Sequence, residues 1–126
     1  MPKSLLLIDD DDDIREVAQL SLEVGTDWTI LCAASGSEGI ELARTARPDA
    51  ILLDVMMPVL DGPATLARLR EDARTRDIPV VFLTAKARAT ERDRLADLNV
   101  AGVLAKPFDP LGLPDQLRYA LGWGDV

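Results

Sequence analysis

The chain has 126 residues, 48% of them hydrophobic and 29% charged, which fits about one globular domain and excludes a disordered polymer. Acidic residues outnumber basic ones, 22 to 14, for a net charge of −8, arguing against nucleic acid as a partner. With no histidine and one cysteine, Cys32, the chain cannot build a Ser-His-Asp triad, a Cys-His nucleophile, a Cys/His zinc site or an internal disulfide.

In chain order, Leu5 to Ile8 is the first apolar run. It is too short for a signal-peptide core of about 7 to 15 residues and suits a strand buried on both faces. A cytoplasmic protein without a membrane segment is expected. Ile14, Val17, Ala18 and Leu22 then recur at helical spacing. Trp28 to Ala34 reads as a strand nearer a sheet edge, with Cys32 a buried residue within it. Ser35 and Glu38 form a capping-box pattern ahead of a helix carrying Ile40 and Ala43. Ala50 to Leu53 is a second buried strand, and Gly62-Pro63 opens a helix with Leu66 and Leu69. Val80 to Leu83 and Ala101 to Ala105 read as further buried strands, separated by a helix with Leu95 and Leu98. The last helix carries Leu117, Ala120 and Leu121. Asp109-Pro110 offers a start for it, but Pro114 inside a helix would remove a hydrogen bond, so its regular part begins near Pro114. Five strand-helix pairs imply an α/β domain over 1–126, with a parallel sheet, right-handed crossovers and helices on both faces. No effector domain is expected in this length.

The polar residues at the strand ends carry the chemistry. Asp9 to Asp13 place five carboxylates directly after the first strand, where like charges raise one another's pKa and call for a cation. Asp11 to Asp13 suit a solvated turn and the first turn of a helix, where acid favours the helix dipole. Asp9 and Asp10 instead close a buried strand, the edge at which open α/β sheets bind ligands. Asp54 ends the third strand, Thr84 the fourth, and Lys106 follows the fifth. These groups converge on one sheet edge. Oxygen ligands alone suit a hard cation such as Mg²⁺, and a hydroxyl and an ammonium can stabilise phosphoryl oxygens. The nucleophile is then a carboxylate, which attacks phosphorus to give an acyl phosphate.

In their order along the chain, Leu6-Leu-Ile-Asp-Asp10, Asp54-Val-Met-Met-Pro-Val-Leu-Asp-Gly62, Thr84-Ala85 and Lys106-Pro-Phe108 resemble the receiver domains of two-component response regulators. The resemblance covers essentially the whole chain. It implies a flavodoxin-like, doubly wound (βα)5 fold with strand order 2-1-3-4-5. It implies Asp54 as phosphoacceptor and Asp9 and Asp10 as the acidic metal pair. Mg²⁺ would be ligated directly by Asp10, Asp54 and the Met56 backbone carbonyl, with Asp9 acting mainly through water. Thr84 matches the family's switch hydroxyl and Lys106 its phosphoryl-pairing lysine, with the Lys106-Pro107 peptide in cis. The resemblance further implies that the donor is a phosphohistidine on a histidine kinase or histidine phosphotransfer protein, and that the chain assists its own phosphorylation without being an enzyme in the usual sense. Output to a downstream protein is expected through residues 88–121, where Arg88, Arg92 and Arg94 sit on the fourth helix.

One position departs from the family pattern: Val103 stands where an aromatic switch residue is common. Met56 and Lys86 hold the positions that flank the phosphoryl group. Three other readings compete. An aspartyl-phosphate phosphatase needs a second aspartate where Met56 stands. A flavin carrier would have its phosphate repelled by Asp9 to Asp13. A phosphorylation-independent interaction module rests on Val103 alone, and leaves the grouping of Asp9, Asp10, Asp54, Thr84 and Lys106 without a chemical reason.

Overall fold

Four-residue apolar runs with no polar interruption can be strands only where both faces of the sheet are covered. The computed structural model describes residues 2–85 and 88–124, and in it strands and helices alternate strictly. They are β1 (Ser4–Ile8), α1 (Asp12–Gly25), β2 (Thr29–Ala33), α2 (Gly36–Ala46), β3 (Ala50–Asp54), α3 (Gly62–Glu71), β4 (Val80–Thr84), α4 (Ala89–Ala96), β5 (Gly102–Ala105) and α5 (Leu113–Leu121). The strands form one parallel sheet in the order β2-β1-β3-β4-β5, the flavodoxin-like arrangement.

Period-two alternation along the strands divides the core into two layers. Leu6, Ile8, Ile51, Leu53, Val80 and Phe82 face one layer, closed by residues of α2, α3 and α4 such as Ile40, Leu66, Leu69 and Leu95. Leu5, Leu7, Ala50, Leu52, Val81 and Leu83 face the other, closed by Ala18 and Leu22 of α1 and Leu113 and Leu117 of α5. Complete burial of each large apolar side chain is worth about 1.5–3 kcal/mol, so β1, β3 and β4, whose apolar residues are all buried, supply a large share of the driving force.

Several expectations need correction. Every residue of β5 is only half-buried, because β5 is an edge strand. An apolar run reports hydrophobicity, not the number of neighbours. Cys32 lies in the other edge strand and is also half-buried. Val17 and Leu98, placed on core-facing stripes by their spacing, are exposed at 44% and 36%. The strand expected over Trp28 to Ala34 is shorter, at Thr29–Ala33. α5 begins at Leu113 with Pro114 in its first turn, where the missing N–H leaves no helical bond unmade.

The helix starts fix the strand-end loops. Asp11 caps α1, its carboxylate accepting from the N–H groups of Asp13 and Ile14. Ser35 caps α2 through Glu38 N–H, and Asp61 caps α3 through Ala64 N–H. At the opposite, N-terminal end of the strands, Trp28 and Trp123 meet edge to face at 5.0 Å, with Arg118 over the Trp28 ring and Lys3 over Trp123.

Candidate functional site

β1, β3 and β4 end almost level, since Ile8 pairs with Leu53 and Asp54 with Leu83. The residues at or just beyond their ends therefore share one edge. Asp9 N–H donates to Ala33 O at 3.1 Å, and Lys106 N–H to Thr84 O at 2.8 Å, extending the ladder under the polar side chains. Asp9, Asp54 and Thr84 are buried, whereas Asp10 is exposed. One carboxylate oxygen from each of Asp9, Asp10 and Asp54 lies within 4.8 Å of the other two.

Lys106, with 12% of its side chain exposed, stands between two of these acids. Its Nζ is 3.0 Å from Asp54 Oδ1 and 2.9 Å from Asp9 Oδ2. It donates a hydrogen bond to Asp54, but its approach to Asp9 Oδ2 is an ion pair off the hydrogen-bonding direction. That oxygen is buried without a hydrogen-bond partner, while Asp9 Oδ1 accepts from Asp11 N–H at 2.9 Å. One ammonium among three carboxylates leaves a negative excess around an oxygen that accepts no hydrogen bond. Such a donor set, all oxygen and partly dry, fits a hard divalent cation.

The electrostatics agree. Burial raises the Asp54 pKa from 3.8 to about 6, helped by the charge of Asp9 and opposed by the Lys106 hydrogen bond and the Met56 backbone amide. Burial also works against the charge of Lys106, but its contacts with Asp9 and Asp54 outweigh this, and its pKa is raised. Lys106 therefore stays an ammonium, and Asp54 is a carboxylate at neutral pH held near its titration point.

The structure thus brings together Asp9, Asp10, Asp54, Thr84 and Lys106, and the Lys106-Pro107 peptide is cis. Met56, two residues past Asp54, is 60% exposed. Lys86 lies outside the described residues. Val103 is half-buried, opposite Phe82 in the β4–β5 register. Arg88, Arg92 and Arg94 are exposed.

Two features of the loop after Asp54 escaped sequence reasoning. Gly62 N–H donates to Val55 O at 2.8 Å. A Cβ on Gly62 would lie 2.7 Å from Asp54 O and 2.8 Å from Val55 Cα, so only glycine lets α3 start this close to β3. Val59, at φ 67° and fully exposed, sits inside a three-residue turn closed by Leu60 N–H to Pro58 O at 2.7 Å. Positive φ is strained for a β-branched residue.

Residues 5–118 match the family described as the response regulator receiver domain. Response regulator Rre1 of Synechocystis is 40% identical over 95% of this chain and 52% of its own length. The DNA-binding dual master transcriptional regulator RpaA of the same organism is 39% identical over 86% of the chain and 44% of its own length. The chain spans about half the length of these curated relatives. Among solved structures, a response regulator from Chloroflexus aurantiacus matches with TM-score 0.87 and 31% identity, covering 97% of this chain and 99% of that one. The chemotaxis protein CheY4 of Vibrio cholerae matches with TM-score 0.86 and 28% identity, covering 95% and 99%.

Proposed function

This chain belongs to the response regulator receiver family, and from that premise we propose that it accepts a phosphoryl group on Asp54 from a phosphohistidine of a partner kinase or phosphotransfer protein. The observation that carries the reading is the buried Asp54 carboxylate held 3.0 Å from the Lys106 ammonium inside the acidic cluster. An Asp54 oxygen attacks phosphorus; the donor's P–N bond breaks, and the imidazole leaves with the electron pair and takes a proton from solvent. Lys106, already against Asp54, pairs with phosphoryl charge as it arrives, which preorganised cations do at little reorganisation cost. The Thr84 hydroxyl, at the end of the adjacent strand, answers a phosphoryl oxygen. Asp10, Asp54 and the Met56 carbonyl would hold Mg²⁺, with Asp9 behind them. Bound there, the ion supplies charge neutralisation for the transferring phosphoryl group. The chain promotes its own modification and turns over no separate substrate.

The donor reaches this edge over α1. A cleft lined by Ile14, Val17, Lys106, Pro107 and Phe108 opens beside Asp54's partner lysine. It continues at Val17 into an apolar groove between α1 and the segment before α5, where Leu20, Val24 and Leu111 are 61%, 80% and 91% exposed. Continuity with the acceptor site supports the phosphohistidine donor as its occupant. Output leaves to a downstream protein by the face of α4, β5 and α5, within residues 88–121. No helix among the described residues is long and apolar enough to cross a membrane.

Intact-protein mass after incubation with acetyl phosphate and Mg²⁺ tests the reading. One added phosphoryl group, absent in Asp54→Asn and without Mg²⁺, is expected. An unmodified, folded protein that still binds Mg²⁺ and also takes nothing from a panel of phosphorylated kinases would favour an interaction module instead.

A further inference from the structure

Arg15, one turn into α1, has a place at this site that phosphoryl chemistry does not use. Its side chain is only 20% exposed. Nη1 donates to the main-chain oxygen of Asp9 at 2.8 Å, while Nη2 pairs with Asp12 in the same first turn. The oxygen it holds belongs to the peptide group that joins Asp9 to Asp10. A peptide group is planar, so fixing its oxygen fixes the plane, and with it ψ of Asp9 and φ of Asp10. Those two angles set where the Asp10 carboxylate lies relative to that of Asp9.

The neighbouring bonds secure the rest of the turn. Asp9 N–H is held by Ala33 O, and Asp11 N–H by Asp9 Oδ1. Arg15 fastens the remaining rotatable part of the strand-to-helix junction to the helix. Coulomb's law alone would make a guanidinium here a hindrance to a cation. Its pairing with Asp12 offsets that charge, so what remains is the geometric restraint. A planar fork that spans a carbonyl and a carboxylate is a task for arginine and not for lysine, whose ammonium is a point charge.

We propose that Arg15 is a positioning residue of the metal and phosphoacceptor site, acting through the Asp9–Asp10 peptide; the inference rests on the Mg²⁺-dependent reading above. The test is a calorimetric Mg²⁺ titration of wild type, Arg15→Met and Arg15→Lys without phosphodonor, below the unfolding temperature of each, with acetyl phosphate labelling alongside. Both variants should bind Mg²⁺ about tenfold more weakly, the usual loss when an outer partner of a metal site is removed. Their labelling rate at saturating Mg²⁺ should return to within about twofold of wild type, because the residue acts on metal binding and not on the transfer step. A purely structural Arg15 would lower the unfolding temperature and leave Mg²⁺ affinity unchanged, overturning the inference. So would tighter binding in Arg15→Met, the signature of charge alone, or wild-type affinity in Arg15→Lys. A wild-type protein that bound no Mg²⁺ would overturn the proposed function first and this inference with it.

Discussion

Asp54→Asn should make the metal-free protein more stable at neutral pH and leave its stability nearly unchanged in acid. The folded protein holds the Asp54 pKa at about 6, against 3.8 for the free group, mainly because the carboxyl is buried. Below about pH 3.8 the carboxyl is protonated in both folded and unfolded chains and has no preference between them. As pH rises the unfolded chain ionises first, so the folded state loses stability until about pH 6, where it ionises too. Each pH unit between the two values costs about 1.4 kcal/mol, giving a deficit of about 3 kcal/mol above pH 6 as an upper bound. Asparagine keeps the shape and an acceptor for Lys106 while removing the charge. Urea unfolding followed by fluorescence of the Trp28–Trp123 pair, far from the site, reads this across pH 4–8 in chelator. The variant should gain about 1–3 kcal/mol at pH 7.5, shrinking towards zero by pH 4, and Mg²⁺ should erase the gain by stabilising the wild type. A variant less stable than wild type at pH 7.5, or a gain that does not fall with pH, would refute the burial argument.

Lys106→Met leaves two buried carboxylates without their cation; it should cost about 3 kcal/mol at pH 8 by urea unfolding and less at pH 5, where Asp54 takes up a proton. Gly62→Ala forces a methyl group against the backbone of Asp54 and Val55, with an expected loss of about 1–3 kcal/mol and slower labelling by acetyl phosphate. Val59→Gly relieves a strained φ worth about 1–3 kcal/mol against about 0.5–1 kcal/mol of added chain entropy, so the melting temperature should rise slightly. Leu20→Asp, on the exposed stripe of α1, should change stability by no more than about 0.5 kcal/mol. Acetyl phosphate labelling should be unaffected, while transfer from a phosphorylated kinase falls about tenfold, a typical loss for one interface anchor.

Much of the architecture was legible in the sequence for one physical reason. Strands sandwiched between helices must be apolar on both faces, so Leu5–Ile8, Ala50–Leu53 and Val80–Leu83 stand out as unbroken runs. The same logic overstated the burial of β5, since Val103 and Leu104 are as hydrophobic as residues of a central strand although only one neighbour flanks them. Spacing alone did not set strand order, which followed from the family resemblance. At the site, the convergence of Asp9, Asp10, Asp54, Thr84 and Lys106 could be read because parallel strands deliver their C-terminal ends to one edge. What could not be read was orientation: Asp9 buried and Asp10 exposed, one lysine shared by Asp9 and Asp54, and a guanidinium on the Asp9 carbonyl. These depend on side-chain and peptide directions set only once α1 docks. Gly62 was visible as a helix start, but its close approach to Asp54 arises from packing between elements.

The central claim, that Asp54 carries the phosphoryl group, is tested most directly by trapping the acyl phosphate. Borohydride reduction of protein labelled with acetyl phosphate and Mg²⁺ turns an aspartyl phosphate into homoserine, which peptide mass mapping locates. The account predicts homoserine at position 54 alone, dependent on both phosphodonor and Mg²⁺. Homoserine at Asp9, Asp10 or another acid in a folded protein, with Asp54 unmodified, would contradict it.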